Sequence, residues 1–97
     1  MLEVKGYRIP NKYVIRELES ENRFWLFDTE NGDSFRLNRI SYMTLNLLKE
    51  SKSSYEICKS ISNKFAQVSK DKIQEDIDEL FTNLLEKGIL QRKEVVE

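Results

Sequence analysis

A chain of 97 residues with 16 basic and 17 acidic side chains has the length of one domain of about 100 residues, and its balanced charge gives no general attraction to nucleic acid or anionic membrane. It contains no histidine and a single cysteine, Cys58. That removes the commonest general base and metal ligand, rules out an internal disulfide, and fits a reducing cytoplasm.

The opening MLEVKGYRIP lacks the basic start and continuous apolar segment of a signal peptide, and no apolar run reaches membrane-spanning length. From residue 13 the pattern becomes strand-like. YVIREL (13–18) alternates Tyr13, Ile15 and Glu17 against Val14, Arg16 and Leu18. ESEN (19–22) is a polar connector of hairpin length. RFWLFD (23–28) is apolar on both faces, as a middle strand should be. In TENG (29–32), Asn31-Gly32 tolerates positive φ and is a strong hairpin signal. DSFRLN (33–38) puts Phe35 and Leu37 on one face, Ser34 and Arg36 on the other. The expected result is a three-stranded antiparallel meander with 33–38 at its edge. Phe24, Trp25, Phe27 and Phe35 are read first as core. Helices cover only one face of so small a sheet, which leaves some of Trp25, Phe27 and their neighbours open to a partner.

The remainder reads as three helices. Asn38 is the expected N-cap of RISYMTLNLLKE (39–50), with Ile40, Met43 and Leu47 at helical spacing and Leu48 beside them. SKSS interrupts. Ser53-x-x-Glu56 is a capping box for a second helix carrying Ile57, Ile61 and Phe65. AQVS interrupts again. Ser69 caps a third helix over 70–87 with Ile73, Ile77, Leu80, Phe81, Leu84 and Leu85 as its apolar stripe. Gly88 stands where a left-handed C-terminal residue belongs, and ILQR after it reads as a short extended tail. The predicted architecture is one α+β domain over 1–97, a winged helix-turn-helix-like fold with three strands followed by three helices.

Chemistry is sparse. With no histidine to activate it, Cys58 is read as a packed small hydrophobe. QEDIDE (74–79) places Glu75, Asp76, Asp78 and Glu79 on the third helix. Successive helical residues fan round the axis, so these carboxylates do not converge on one metal or substrate, though one or two of them are candidates for contacting a peptide. The same acids oppose the runner-up reading, a winged-helix DNA-binding regulator, because a groove-reading helix needs cations. A small enzyme ranks third, since no nucleophile–base pair is visible. The edge strand 33–38 remains. It has no proline, and it is either an edge merely tolerated or one that accepts a partner strand.

In order and spacing, these motifs resemble the PqqD-like family, the pyrroloquinoline-quinone biosynthesis protein D group. The stretch from YVIREL through MTLNLL is similar to its N-terminal half, with Gly32 in the turn and Leu37-Asn38 closing the strand. Glu56-Ile57 is similar to a pair in its second helix. Asp76-Ile77, Leu84 and Gly88-Ile89-Leu90 are similar to its third helix and the turn beyond. The resemblance covers about residues 7–92.

The resemblance implies a non-catalytic recognition element without cofactor. It would bind the leader segment of a ribosomally made precursor peptide and present it to a modifying enzyme, such as a radical S-adenosylmethionine enzyme or a leader peptidase. By the same resemblance, the leader adds beside Asp33, Ser34, Phe35, Arg36 and Leu37 and lies against a helix face around Lys72, Ile73, Asp76, Ile77 and Leu80. No nucleic acid or membrane partner is implied. The chain would act as a monomer, or as a dimer paired or swapped through its exposed edge. Its Lys- and Ser-rich second half and acidic third helix depart from the family's usual pattern.

Overall fold

The computed structural model describes residues 3–93. The expected domain limits at 1 and 97 lie outside the described residues. The elements run β1 (Tyr7–Arg8), β2 (Tyr13–Leu18), a 3₁₀ turn (Glu19–Glu21), β3 (Arg23–Asp28), β4 (Ser34–Leu37), α1 (Arg39–Lys49), α2 (Ser54–Lys64), α3 (Lys70–Glu86) and β5 (Gln91–Arg92). The meander is present in the order β2-β3-β4, all antiparallel. A second small sheet, β1 with β5, pairs Tyr7 with Arg92. Strands of two residues carry no alternation, so the pattern did not announce it. The expected extended tail proves to be β5, anchored by Ile89 and Leu90, which are fully buried just before it.

The β3–β4 hairpin is organised by Asp28. Its Oδ1 accepts from the backbone N–H of Glu30 (2.9 Å) and Asn31 (3.3 Å), and its Oδ2 lies 3.5 Å from Lys12 Nζ. The Asp28 N–H donates to the Asp33 carbonyl at 2.8 Å and its carbonyl accepts from Gly32 at 2.9 Å. Gly32 has φ +81°, where a side chain would be strained. Burial alone would raise the Asp28 pKa. The two loop amides and the Lys12 ammonium outweigh burial and hold it below the ordinary carboxylate range.

The three helix caps are as expected. Asn38 Oδ1 accepts from Ser41 N–H at 2.7 Å. Ser53 and Glu56 exchange both bonds of the capping box. Ser69 Oγ accepts from Lys72 N–H at 3.2 Å. Gly88 ends α3 at φ +74°, and the N–H groups of Ile89 and Leu90 return to the Leu84 carbonyl. Phe65, expected within the second helix, is instead its C-cap.

The core lies between the sheet and the helices. Leu26 from β3 shares one buried cluster with Leu45, Ile57, Ile61, Ile73, Ile77 and Phe81, all with no exposed surface. In α1 the fully buried positions are Thr44, Leu45 and Leu48, while Ile40, Met43 and Leu47 are half-buried. The inward face therefore lies to one side of the expected stripe. Thr44 is admitted because its hydroxyl donates to the Ile40 carbonyl at 2.7 Å.

Phe81→Ala should destabilise the domain by about 3–5 kcal/mol in chemical denaturation, the usual cost of emptying a buried aromatic site. Asp28→Asn should lower the melting temperature at neutral pH. The Asp28 pKa is depressed in the fold, so its contribution is complete above the unfolded carboxyl value of about 3.9 and is lost as pH falls through the lower folded value. Melting curves of the variant should therefore flatten in acid relative to wild type.

Candidate functional site

An antiparallel strand turns its backbone groups alternately toward and away from a given neighbour. The bond between Asp28 and Asp33 fixes the phase. With Phe27 opposite Ser34 and Leu26 opposite Phe35, residues 33, 35 and 37 bond inward to β3. The N–H and C=O groups of Ser34 and Arg36 therefore face outward, away from the sheet. On β2, the bond from Thr29 N–H to the Lys12 carbonyl sets the matching phase, which turns Tyr13, Ile15 and Glu17 outward. Tyr13 is already satisfied there. Its N–H donates to the Pro10 carbonyl (3.1 Å), and its carbonyl accepts from Lys49 Nζ (2.6 Å). One edge is partly closed and the other, β4, is open.

The open edge borders a cleft of about 420 Å³ lined by Phe35 and Leu37 of β4, Leu80, Asn83 and Leu84 of α3, and Lys87 just beyond it. Ser41, Leu80 and Asn83 also line an adjoining cleft of about 260 Å³, closed by Asn38, Asp76 and Glu79. Positions 76, 80, 83 and 87 recur at helical spacing, so one stripe of α3 faces the start of α1 at its upper end and β4 at its lower end. The floor is apolar and the rim is charged.

The expected residues separate on this geometry. Ser34, Phe35, Arg36 and Leu37 line the cleft from the sheet side; Asp33 sits in the hairpin loop next to it. Leu80 and Asp76 line it from α3. Lys72 is exposed, and its Nζ lies 3.1 Å from Asp76 Oδ1; that bond and the neighbouring acids raise its pKa. Ile73 and Ile77 have no exposed surface and line neither cleft; they hold α3 from beneath. Glu79, Asn83, Leu84 and Lys87 were not among the sequence candidates. Continuing the spacing that begins at Asp76 and Leu80 would have found Asn83 and Lys87.

Among the described residues the other candidate chemistry is unfavourable. Burial, and then Asp78, push the Cys58 thiol up, the reverse of what a nucleophile requires. Among the described residues, no three Cys, Asp or Glu side chains are grouped to hold a metal ion, and no helix is long and apolar enough to cross a membrane. The QEDIDE acids disperse. Glu75 is exposed, Asp76 and Glu79 line the cleft, and Asp78 turns Oδ1 inward without a hydrogen-bond partner among the described residues. The DNA-binding alternative finds no support in such a helix. On the outer face of the sheet Trp25 and Phe27 stack at 6.2 Å between centroids, half-buried, beside the exposed Leu18. Helices therefore do cover one sheet face only.

Comparison with known proteins bears on the family and the fold. The sequence model of a family described as coenzyme PQQ synthesis protein D (PqqD) matches residues 24–90. No curated protein matches the chain significantly. Among solved structures, TbiB1 in complex with the TbiA(beta) leader peptide superposes with a TM-score of 0.72 at 20% identity, over 91% of this chain and 99% of that one. Lasso peptide synthetase B1 complexed with the leader peptide gives 0.71 at 19% identity, over 88% and 96%. At these identities the likeness establishes a shared α+β fold.

The outward phase of Ser34 and Arg36 has a direct consequence for stability. A proline at either position removes only an N–H that faces away from β3, so the fold should survive. Phe35→Pro removes a ladder bond and should cost about 1–3 kcal/mol or more. Thermal melts of the three variants should separate Phe35→Pro from the other two; larger losses for Ser34→Pro and Arg36→Pro than for Phe35→Pro would place the phase one residue out.

Proposed function

The chain belongs to the PqqD family, and on that footing we propose that it is a non-catalytic adaptor. It binds the leader segment of a ribosomally made precursor peptide and presents it to a modifying enzyme. The observation that carries this reading is the open β4 edge beside an apolar cleft, in a molecule whose other sheet edge is partly closed. The leader peptides held by the two compared structures, which share this fold, support it.

A leader strand laid against β4 would exchange up to four main-chain hydrogen bonds, two each with Ser34 and Arg36. At about 0.5–1.5 kcal/mol net per bond, these contribute about 2–6 kcal/mol. Association costs about as much in lost freedom. Affinity and selectivity therefore rest on apolar anchors that alternate onto the floor formed by Phe35, Leu37, Leu80 and Leu84. Asp76 and Lys72 contact the leader from the rim. Asp33 sets where the added strand begins, while Ile73 and Ile77 act through their support of α3.

The partner enzyme is of the radical S-adenosylmethionine or leader-peptidase kind, and the work takes place in the cytoplasm without a cofactor on this chain. A second copy pairing through β4 would compete with the leader for the same groups. The adaptor is thus a monomer when loaded.

In amide-shift titrations with leaders from its own pathway, Ser34, Arg36, Leu80 and Asn83 should move. Ser34→Pro and Arg36→Pro should each weaken binding by about fivefold or more, the value of one donor. A leader that leaves these four amides unmoved would sink the reading.

A further inference from the structure

Leader binding asks only for an edge and an apolar floor. The cleft between β4 and α3 carries something more, a gradient of charge along its length. At one end Glu79, with Asp76 beside it, faces Asn38 and Ser41 at the start of α1. At the other end Lys87 Nζ lies 5.9 Å from the centre of the Phe35 ring. Leu80 and Leu84 occupy the stretch between. Asp76 is engaged by Lys72 at 3.1 Å. Neither Glu79 nor Lys87 makes an ion pair with a described residue.

Lys72 offsets one of the two acids at this end, pairing with Asp76 and acting on Glu79 only as the weakest of its acidic neighbours, and the two arginines nearest the cleft are directed elsewhere. Arg36 stands opposite Trp25 on the outer face of the sheet. Arg39 is held by Asn22 Oδ1 at 2.6 Å and lies over the Phe24 ring.

The spacing of the two free charges matches a strand. From Glu79 to Lys87, eight residues of helix rise about 12 Å at about 1.5 Å each. An extended strand covers that distance in about four residues at about 3.3 Å each. Positions i, i+2 and i+4 of a strand point to the same side. A leader lying against β4 therefore presents three consecutive inward side chains to Glu79, to the apolar middle and to Lys87.

We infer, resting on the leader-binding reading, that this cleft selects a segment with a cationic, an apolar and an acidic side chain at alternate positions. The cation meets Glu79, the apolar group sits on Leu80 and Phe35, and the acid meets Lys87. β4 runs from the Lys87 end toward the Asn38 end. Both pairings of this sheet are antiparallel, and an antiparallel leader reads, from its own N-terminus, Lys/Arg-x-apolar-x-Asp/Glu. Glu79 and Lys87 are the specificity-determining residues.

The test uses two synthetic peptides of one composition, with Lys-x-Leu-x-Glu or Glu-x-Leu-x-Lys in the same flanks, titrated into the full chain and followed by amide shifts. The first should bind about tenfold more tightly at low salt, and the gap should narrow as salt screens exposed charges. Glu79→Lys combined with Lys87→Glu should reverse the preference. Glu79→Gln and Lys87→Gln should each reduce it, and these two decide the matter if the double variant does not fold. If both peptides move Ser34 and Arg36 with equal affinity, the charge selection is overturned and strand addition stands. If neither these peptides nor a natural leader moves those amides, the underlying reading falls and this one with it.

Discussion

An antiparallel strand satisfies a neighbour with every second residue, and β4 has a neighbour on one side only. The consequences of that constraint run through the whole molecule. Ser34 and Arg36 are left with backbone donors and acceptors that nothing in the described chain takes up through the ladder, while Phe35 and Leu37 send their side chains toward the helices. A single short strand thus supplies two things at once: unpaired main-chain groups at its rim and an apolar wall beneath them. β2 occupies the equivalent position on the other side of β3, and there Lys49 Nζ caps the Tyr13 carbonyl. The two edges are alike in pattern and unlike in availability.

Which residues face outward depends on register, and register depends on Asp28. Its carboxylate gathers the Glu30 and Asn31 amides, and its own backbone brackets the loop from Gly32 to Asp33. A slip of one residue would carry Phe35 and Leu37 to the outer face and bring Ser34 and Arg36 onto the core. The salt bridge from Lys12 and the burial of Asp28 tie that loop to the segment preceding β2. The hairpin is therefore held from both ends. Asn38, one residue past β4, ends the strand and starts α1 by accepting from Ser41, which limits the usable edge to a few residues.

The second wall of the cleft comes from α3. Its length allows two adjacent stripes with different duties. Ile73, Ile77, Phe81 and Leu84 are pressed into the core, while Leu80, Asn83 and Lys87 border β4 and Asp76 borders the start of α1. The first stripe gives the second a rigid backing. The one thiol is pushed up by burial, and the acids of the helix are spread round its axis.

The sequence by itself determined the three-stranded meander, the three helices and their order, because the signals for them are local. Alternation in YVIREL and SFRL, Asn31-Gly32, the Ser53–Glu56 capping box, Ser69 and Gly88 each act over a few residues, and each is realised in place. It also determined that 33–38 is an edge, since only 23–28 is apolar enough on both faces to lie in the middle. Tertiary structure alone decided which side of each element counts. Ile73 and Ile77 belong to the same helical pattern as Leu80, and only the docking of α3 against β4 shows that the first two are core and the third lines a cleft. Thr44 and Asp28 are polar and buried because a bond back to the Ile40 carbonyl accommodates the first, and loop amides with the Lys12 ammonium accommodate the second, which the hydrophobic period of the sequence does not record. The pairing of β1 with β5 joins residues more than eighty apart in the chain. Contacts of that kind are set by how the whole chain closes, and a local pattern carries no information about closure.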